Sequence, residues 1–297
     1  MKVLHQECGK DWAIYHGDSA EVLKGIPTDS THLSVSSIPF ASLYTYSNSE
    51  RDLGNCKNYS EFGVQFTKFI IPEWARITMP GRLVAIHCMN LPTTKEHHGY
   101  IGLQDFRGDI IRWFESAGMI YHSEVCIWKD PVTAMQRTKA LGLLHKQLKK
   151  DSCMSKQGVP DYLVVFRKPG ENPERCTHTN ESFPVREWQK YASPVWMDIN
   201  QSDTLQRESA REEKDERHIC PLQLEVIERA IQLWSNPGDI IFDPFVGIGS
   251  VPYIAVKMGR RGVGIELKES YYNQAVANCK AAEAMSKQVS MFSGATL

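Results

Sequence analysis

The sequence predicts an α/β fold built on a mostly parallel sheet, with an irregular region inserted into it. Three observations predict this. Short apolar runs alternate with helix-spaced segments at both ends of the chain. The middle is basic, then rich in Pro, Asn, Ser and Thr. The 297 residues, 42% hydrophobic and 23% charged, suffice for one large domain or two modest ones.

In chain order, residues 12–16 read as a short strand ending in a Gly17-Asp18 turn, 20–24 as helix and 32–36 as an apolar strand. Phe62, Phe66, Phe69 and Ile70 share helical spacing; Pro72 must kink or interrupt that helix, and Pro80-Gly81 ends it. Residues 82–88 (RLVAIHC) form a buried strand, 107–117 an amphipathic helix closed by Gly118, and 119–128 another strand. DYLVVFRK (161–168) is again strand-like, whereas 169–217 predicts loops and a solvated helix. Helix 222–233, strand 239–242, helix 250–258, strand 262–267 and a last helix over 269–285 complete the alternation. On such sheets ligands bind at the carboxyl ends of the strands.

Composition excludes several classes of function. Lys+Arg 34 against Asp+Glu 35 gives a net charge of −1, so any nucleic-acid surface must be local. No apolar stretch approaches the roughly 18 residues of a membrane span, and MKVLHQECGKDW has no signal-peptide core. A cytoplasmic protein is expected. Cys8, Cys56, Cys88, Cys126, Cys153, Cys176, Cys220 and Cys279 stand singly, without metal-ligand spacing, and no metal is expected.

The strongest local signal is PGDIIFDPFVGIGSVPYIAVKMGRRGVGIEL. Its first strand ends in Asp243 and turns through Pro244, Phe245, Val246, Gly247, Ile248 and Gly249 into a helix beginning near Ser250. The glycines permit a tight turn and close approach of a ligand to backbone, and the helix start offers N–H groups to an anionic group such as a carboxylate. Glu266 ends the next strand, where acidic residues grip ribose hydroxyls in nucleoside-binding βαβ units. Val251 and Pro252 leave no third glycine, which argues against a pyrophosphate-bearing cofactor; nor does the turn fit the G-x-S-x-G elbow of serine hydrolases.

DPFVGIGS followed by GIEL resembles the S-adenosylmethionine loop and ribose acid of DNA amino-methyltransferases, whose pattern is D-P-F-x-G-x-G-[ST]. In the permuted, β-type members a tetrapeptide [DNS]-P-P-[YFW] precedes that loop, and here Ser37-Ile38-Pro39-Phe40 follows an apolar strand near the start. The order of strands and motifs matches over nearly the whole chain apart from 169–217 and the tail. FASLYTYSNS (40–49) is similar to phage and prophage DNA methylases.

This resemblance implies a Rossmann-like S-adenosylmethionine-dependent methyltransferase fold in circularly permuted order. Residues 1–168 and 218–285 form its catalytic domain, 169–217 a variable target-recognition region and 286–297 a tail. The implied cofactor is S-adenosyl-L-methionine. Asp18 contacts its adenine ring, Glu266 its ribose and Asp243 its amino acid end, with Phe245, Gly247, Gly249 and Ser250 completing the site. Ser37 and the carbonyl between Ile38 and Pro39 accept the hydrogens of an adenine N6 or cytosine N4 amino group, turning its lone pair toward the methyl. Phe40 stacks on the base, which must flip out of the duplex; such stacking is worth ~1–3 kcal/mol. Ser at the first position leans toward cytosine, while adenine is the commoner target in the family, and both stay open.

The resemblance implies double-stranded DNA as the partner; a homodimer is admitted and no membrane is expected. Residues 133–150 contain no acid but carry Arg137, Lys139, Lys146, Lys149 and Lys150, a pattern that fits phosphate contact. Trp188, Tyr191 and Trp196 fall in the stretch expected to recognise the target, Trp196 being equally readable as core. Two rivals stand beside this reading. Ile38 in place of proline suggests a catalytically silent DNA-binding protein, and the N-[IL]-P-[YF] variant of the tetrapeptide suggests an RNA adenine methyltransferase, which chain order opposes.

Overall fold

The computed structural model describes residues 3–39, 53, 56, 58–93, 95–100, 102–132, 158–205 and 221–293. Its strands are β1 (His5–Cys8), β2 (Trp12–His16), β3 (Thr31–Ser37), β4 (Thr78–Cys88), β5 (Leu91–Pro92), β6 (Leu103–Gln104), β7 (Ile120–Ile127), β8 (Asp161–Arg167), β9 (Val195–Trp196), β10 (Ile240–Asp243) and β11 (Arg261–Glu266). Apart from the small β5–β6 pair, they form one sheet in the order β1-β2-β11-β10-β3-β4-β8-β7-β9. The run from β2 to β4 is parallel throughout. β8 lies reversed between β4 and β7, and β1 is antiparallel at the edge.

The helices are α1 (Ser19–Val22), α2 (Tyr59–Gln65), α3 (Ile71–Ile77), α4 (Lys95–His98), α5 (Phe106–Ser116), α6 (Val185–Tyr191), α7 (Leu224–Trp234), α8 (Ser250–Lys257) and α9 (Glu269–Ser293). Because the central strands are apolar at successive positions, both sheet faces must be covered. Val84, Ile86, Val164, Phe166 and Phe242 pack with residues of α2, α3 and α5 on one face. Leu33, Val35, Ala85, Leu163, Val165 and Ile241 pack with α7 and α8 on the other, giving three layers. Trp12 and Ile14 of β2 complete the sandwich against Ala275, Cys279 and Ala282 of α9.

The helical pattern is interrupted at Pro72: a π-helical turn, Phe66–Ile70, precedes it and the helix restarts as α3 with Pro72 in its first turn, where the missing N–H has no partner to lose. Other local expectations change. Pro80-Gly81 does not cap that helix. It lies inside β4, where Gly81 has φ +74°, and the β3–β4 register jumps from Thr31↔Thr78 to Leu33↔Leu83, so the extra residues bulge out of the ladder. Residues 169–217 supply β9, which extends the sheet beyond β7, and α9 continues to Ser293. No helix among the described residues is long and apolar enough to cross a membrane.

Candidate active site at the strand carboxyl ends

Five neighbouring strands run parallel, so their carboxyl ends share one edge of the sheet and everything following them is brought together. Gly17-Asp18 follows β2, Glu266 ends β11, Asp243 ends β10 and Ser37 ends β3. Hydrogen bonds between loops lock this edge. Gly17 N–H donates to Glu266 O at 2.9 Å, and Ser19 Oγ donates to Pro244 O at 2.5 Å. Asp18 N-caps α1, its Oδ1 accepting from Ala20 N–H at 3.0 Å.

The β10–α8 turn takes two left-handed residues, Gly247 at φ +54° and Gly249 at φ +89°. Their roles differ. A Cβ on Gly247 would meet open space, whereas on Gly249 it would lie 2.9 Å from Ala275 Cα. The close approach at Gly249 is therefore to the backbone of α9, and only Gly247 leaves room for a ligand. Ser250 opens α8 and is buried. The Glu266 carboxylate spans the turn, accepting from Gly247 N–H at 2.9 Å and from Lys268 N–H at 2.8 Å. Phe245 stacks on Phe66 and meets Trp74 edge-on, so it joins the core beneath the turn.

Asp243 is buried, and its Oδ1 accepts from Ser36 Oγ at 2.7 Å and Phe245 N–H at 2.9 Å. Burial pushes its carboxyl up to about 7, against the opposing pull of those two donors. An acid so placed favours a cationic neighbour.

Ser37, Ile38 and Pro39 leave β3 together; the Ile38 side chain is buried in the core. Phe40 lies outside the described residues, as do Arg137, Lys139, Lys146, Lys149 and Lys150 and the 40–49 run. Sequence reading missed three residues here. Ser37 and His87 are register partners on β3 and β4, and Ser37 Oγ meets His87 Nδ1 at 3.0 Å. His87 Nε2 meets Asp161 Oδ2 at 3.0 Å, and Lys129 Nζ reaches the same oxygen at 2.5 Å. The available signal was a histidine near the end of an otherwise apolar strand. For Asp161, burial raises the carboxyl but Lys129 and His87 outweigh it and hold it below the ordinary value.

At the opposite end of the sheet, His32, Glu174 and Asp239 place ligand atoms within 4.8 Å of one another. Ile240 N–H donates to His32 Nδ1 at 3.1 Å, so the neutral ring carries its proton on Nε2 and presents that proton, not a lone pair, to Glu174 Oε2 at 3.0 Å. Arg82 already pairs with Asp239. The cluster is a hydrogen-bonded strut, with no lone pair left for a metal on its histidine.

A doubly wound sheet whose acidic strand ends surround a glycine turn defines a nucleoside-binding α/β protein of the Rossmann class. The chain matches the model of the N6/N4 DNA methylase family over residues 31–277, and it belongs to that family. It is 24% identical over 208 residues to the type II methyltransferase M.MjaI of Methanocaldococcus jannaschii, covering 68% of this chain and 63% of the relative. To M.BglII of Bacillus subtilis it is 23% identical over 260 residues, covering 87% and 66%. The chain thus spans about two thirds or less of these relatives' length. Among solved structures, a Thermus thermophilus protein described as a DNA modification methylase, crystallised with S-adenosyl-L-methionine, superposes with TM-score 0.68 at 22% identity, covering 91% of this chain and 93% of that one. The PvuII cytosine-N4 DNA methyltransferase gives TM-score 0.65 at 18% identity, covering 91% and 86%. Both share the mixed α/β fold.

Proposed function

We propose that this chain transfers a methyl group from S-adenosyl-L-methionine to an exocyclic amino group, adenine N6 or cytosine N4, of a base flipped out of duplex DNA. One observation carries the reading. Ser36 Oγ donates to Asp243 Oδ1 at 2.7 Å, so the strand ending in the tetrapeptide is fastened to the strand that opens the glycine turn. Acceptor and cofactor sites are then adjacent on one rigid edge, the arrangement that transfer between two bound partners demands.

The residues fit the cofactor. S-adenosyl-L-methionine offers donors in an ammonium, two ribose hydroxyls and an adenine amino group; the edge offers carboxylates in Asp243, Glu266 and Asp18. Asp243 suits the ammonium, Glu266 the ribose and Asp18 the adenine. When bound, the cofactor supplies an electrophilic methyl on a sulfonium. Ser37 and the Ile38 carbonyl accept the amino hydrogens, and Phe40 supports the base. Residues 169–217 supply the target-recognition surface, where Trp188 on α6 is half exposed. Trp196 belongs to the core instead: it is buried, donates to Tyr191 O at 3.0 Å and lies against the Arg229 guanidinium.

The test pairs calorimetry of S-adenosyl-L-methionine binding with transfer of a tritiated methyl group to bulk DNA. Wild type should bind and transfer, and Glu266→Ala should bind more weakly. Binding without transfer to any DNA favours the silent-binder reading; unchanged affinity in folded Glu266→Ala removes the ribose assignment.

A further inference from the structure

We propose that His87 is a positioning residue, resting on the function above: it fixes Ser37 as a hydrogen-bond acceptor toward the target amino group and receives, through Ser37, the proton that this group releases. The polarity of the chain Ser37–His87–Asp161 is set from its buried end. Asp161 is 2% exposed, and a carboxylate only accepts hydrogen bonds, so the neutral imidazole donates Nε2–H to Asp161 Oδ2. Lys129 on the same oxygen keeps that carboxylate ionised in the dry sheet. Nδ1 is then the accepting nitrogen of the ring, and it takes the Ser37 hydroxyl hydrogen at 3.0 Å. Both Ser37 lone pairs are left for an incoming N–H. Without His87 the hydroxyl could rotate and present its hydrogen to the amino nitrogen, blocking the lone pair that must attack.

The bookkeeping closes on these residues. As the nitrogen–methyl bond forms, the electron pair of the sulfur–methyl bond stays on sulfur and the positive charge moves to the amino nitrogen. One N–H bond breaks as its proton passes to Ser37 Oγ, while the Ser37 hydroxyl proton passes to His87 Nδ1. The charge ends as an imidazolium beside Asp161. Among the described residues, the imidazole faces Ser37 from β3, Asp161 from β8 and, beyond that carboxylate, Lys129 after β7. All sit on strands or directly beside them, which holds the geometry to the precision a relay requires.

His87→Gln separates hydrogen bonding from proton transfer. Glutamine can accept from Ser37 and donate to Asp161, yet it cannot hold the proton. Asp161→Asn keeps an accepting oxygen where Lys129 and Nε2–H both meet it, so the tautomer stands, but it removes the negative charge that balances the imidazolium. In single-turnover assays, each variant should lose about a hundredfold or more in transfer rate, the usual range for a lost proton acceptor. KM for DNA and calorimetric affinity for S-adenosyl-L-methionine should stay within about threefold of wild type, a split that a merely structural role does not give. Independently of activity, nitrogen NMR of histidine-labelled apo protein should find the neutral His87 ring protonated on Nε2 in wild type and in Asp161→Asn alike. A wild type that methylates while folded His87→Gln keeps its rate within threefold overturns the proton path alone. A wild-type His87 protonated on Nδ1 in its neutral form overturns the polarity. A wild type that transfers to no DNA overturns the functional reading, and the proton path with it.

Discussion

Asp243, proposed above to meet the cofactor's ammonium, carries a cost in stability. Its carboxyl is raised to about 7 in the fold, whereas an unfolded Asp titrates near 4. Below pH 4 both states are protonated and nothing is lost. Between pH 4 and 7 the unfolded chain ionises first, so stability falls as pH rises, by on the order of 4 kcal/mol, and stays low above pH 7. Asp243→Asn should therefore raise the melting temperature of the ligand-free protein at pH 8, lose that advantage at pH 4, and bind S-adenosyl-L-methionine less well; melts at the two pH values and one titration decide it. Ile38 tells a complementary story. In the proposed chemistry its carbonyl accepts an amino hydrogen, and Pro39 keeps that carbonyl extended, while its side chain fills the core. Ile38→Pro should cost about 2 kcal/mol in urea unfolding, as other reductions of buried aliphatic volume do, yet keep methyl transfer within about tenfold. Ser37→Ala should lose considerably more activity with little change in stability; activity equal to wild type would remove Ser37 from the site. The places of Asp18, Asp243 and Glu266 at one edge of the sheet were legible in the sequence, because a carboxylate that ends a strand, or caps the helix just after one, is a local pattern. His87 and Asp161 were not, because 74 positions separate them and only sheet register brings them together.

At the scale of elements, the β10–α8 turn was legible as a turn but not in its reasons. Both glycines are visible in DPFVGIGS. That Gly249 is required by α9, which packs its backbone at Ala275 against it, depends on a helix 26 positions downstream. The two sites predict different penalties. Gly247→Ala meets no atom and should cost only the left-handed backbone term, about 1–2 kcal/mol. Gly249→Ala adds a collision with backbone and should cost clearly more; equal urea midpoints for the two variants would contradict the packing account. The edge strands β1 and β9 escaped the sequence for a different reason. β1 is HQEC, mostly exposed, and β9 is two residues long, so neither has an apolar rhythm to detect. The alternation of the central strands survived because burial on both faces writes it into consecutive residues.

Across the whole molecule, a net charge of −1 leaves DNA attraction to local surfaces, and the acid-free run 133–150 is the one the sequence marks out. Neutralising Lys146, Lys149 and Lys150 together should lower the log–log salt slope of DNA binding by roughly 0.9 for each phosphate that no longer meets a lysine, without moving cofactor affinity. A slope equal to wild type returns the run to ordinary surface. The strand order carries a further consequence, for how the protein comes to be. β3 is central, yet its two neighbours reach it from very different distances: Leu33 pairs with Leu83 on one side and with Ile241 on the other. During synthesis one edge of β3 can be covered early, while the other must wait for the ribosome to deliver β10. A chain with so many remote pairings closes slowly and, until then, presents a sticky apolar edge to its surroundings. Pulse-labelled hydrogen exchange on refolding should accordingly protect the β3–β4 ladder before the β3–β10 ladder, and the nascent chain should depend on chaperones chiefly over that interval.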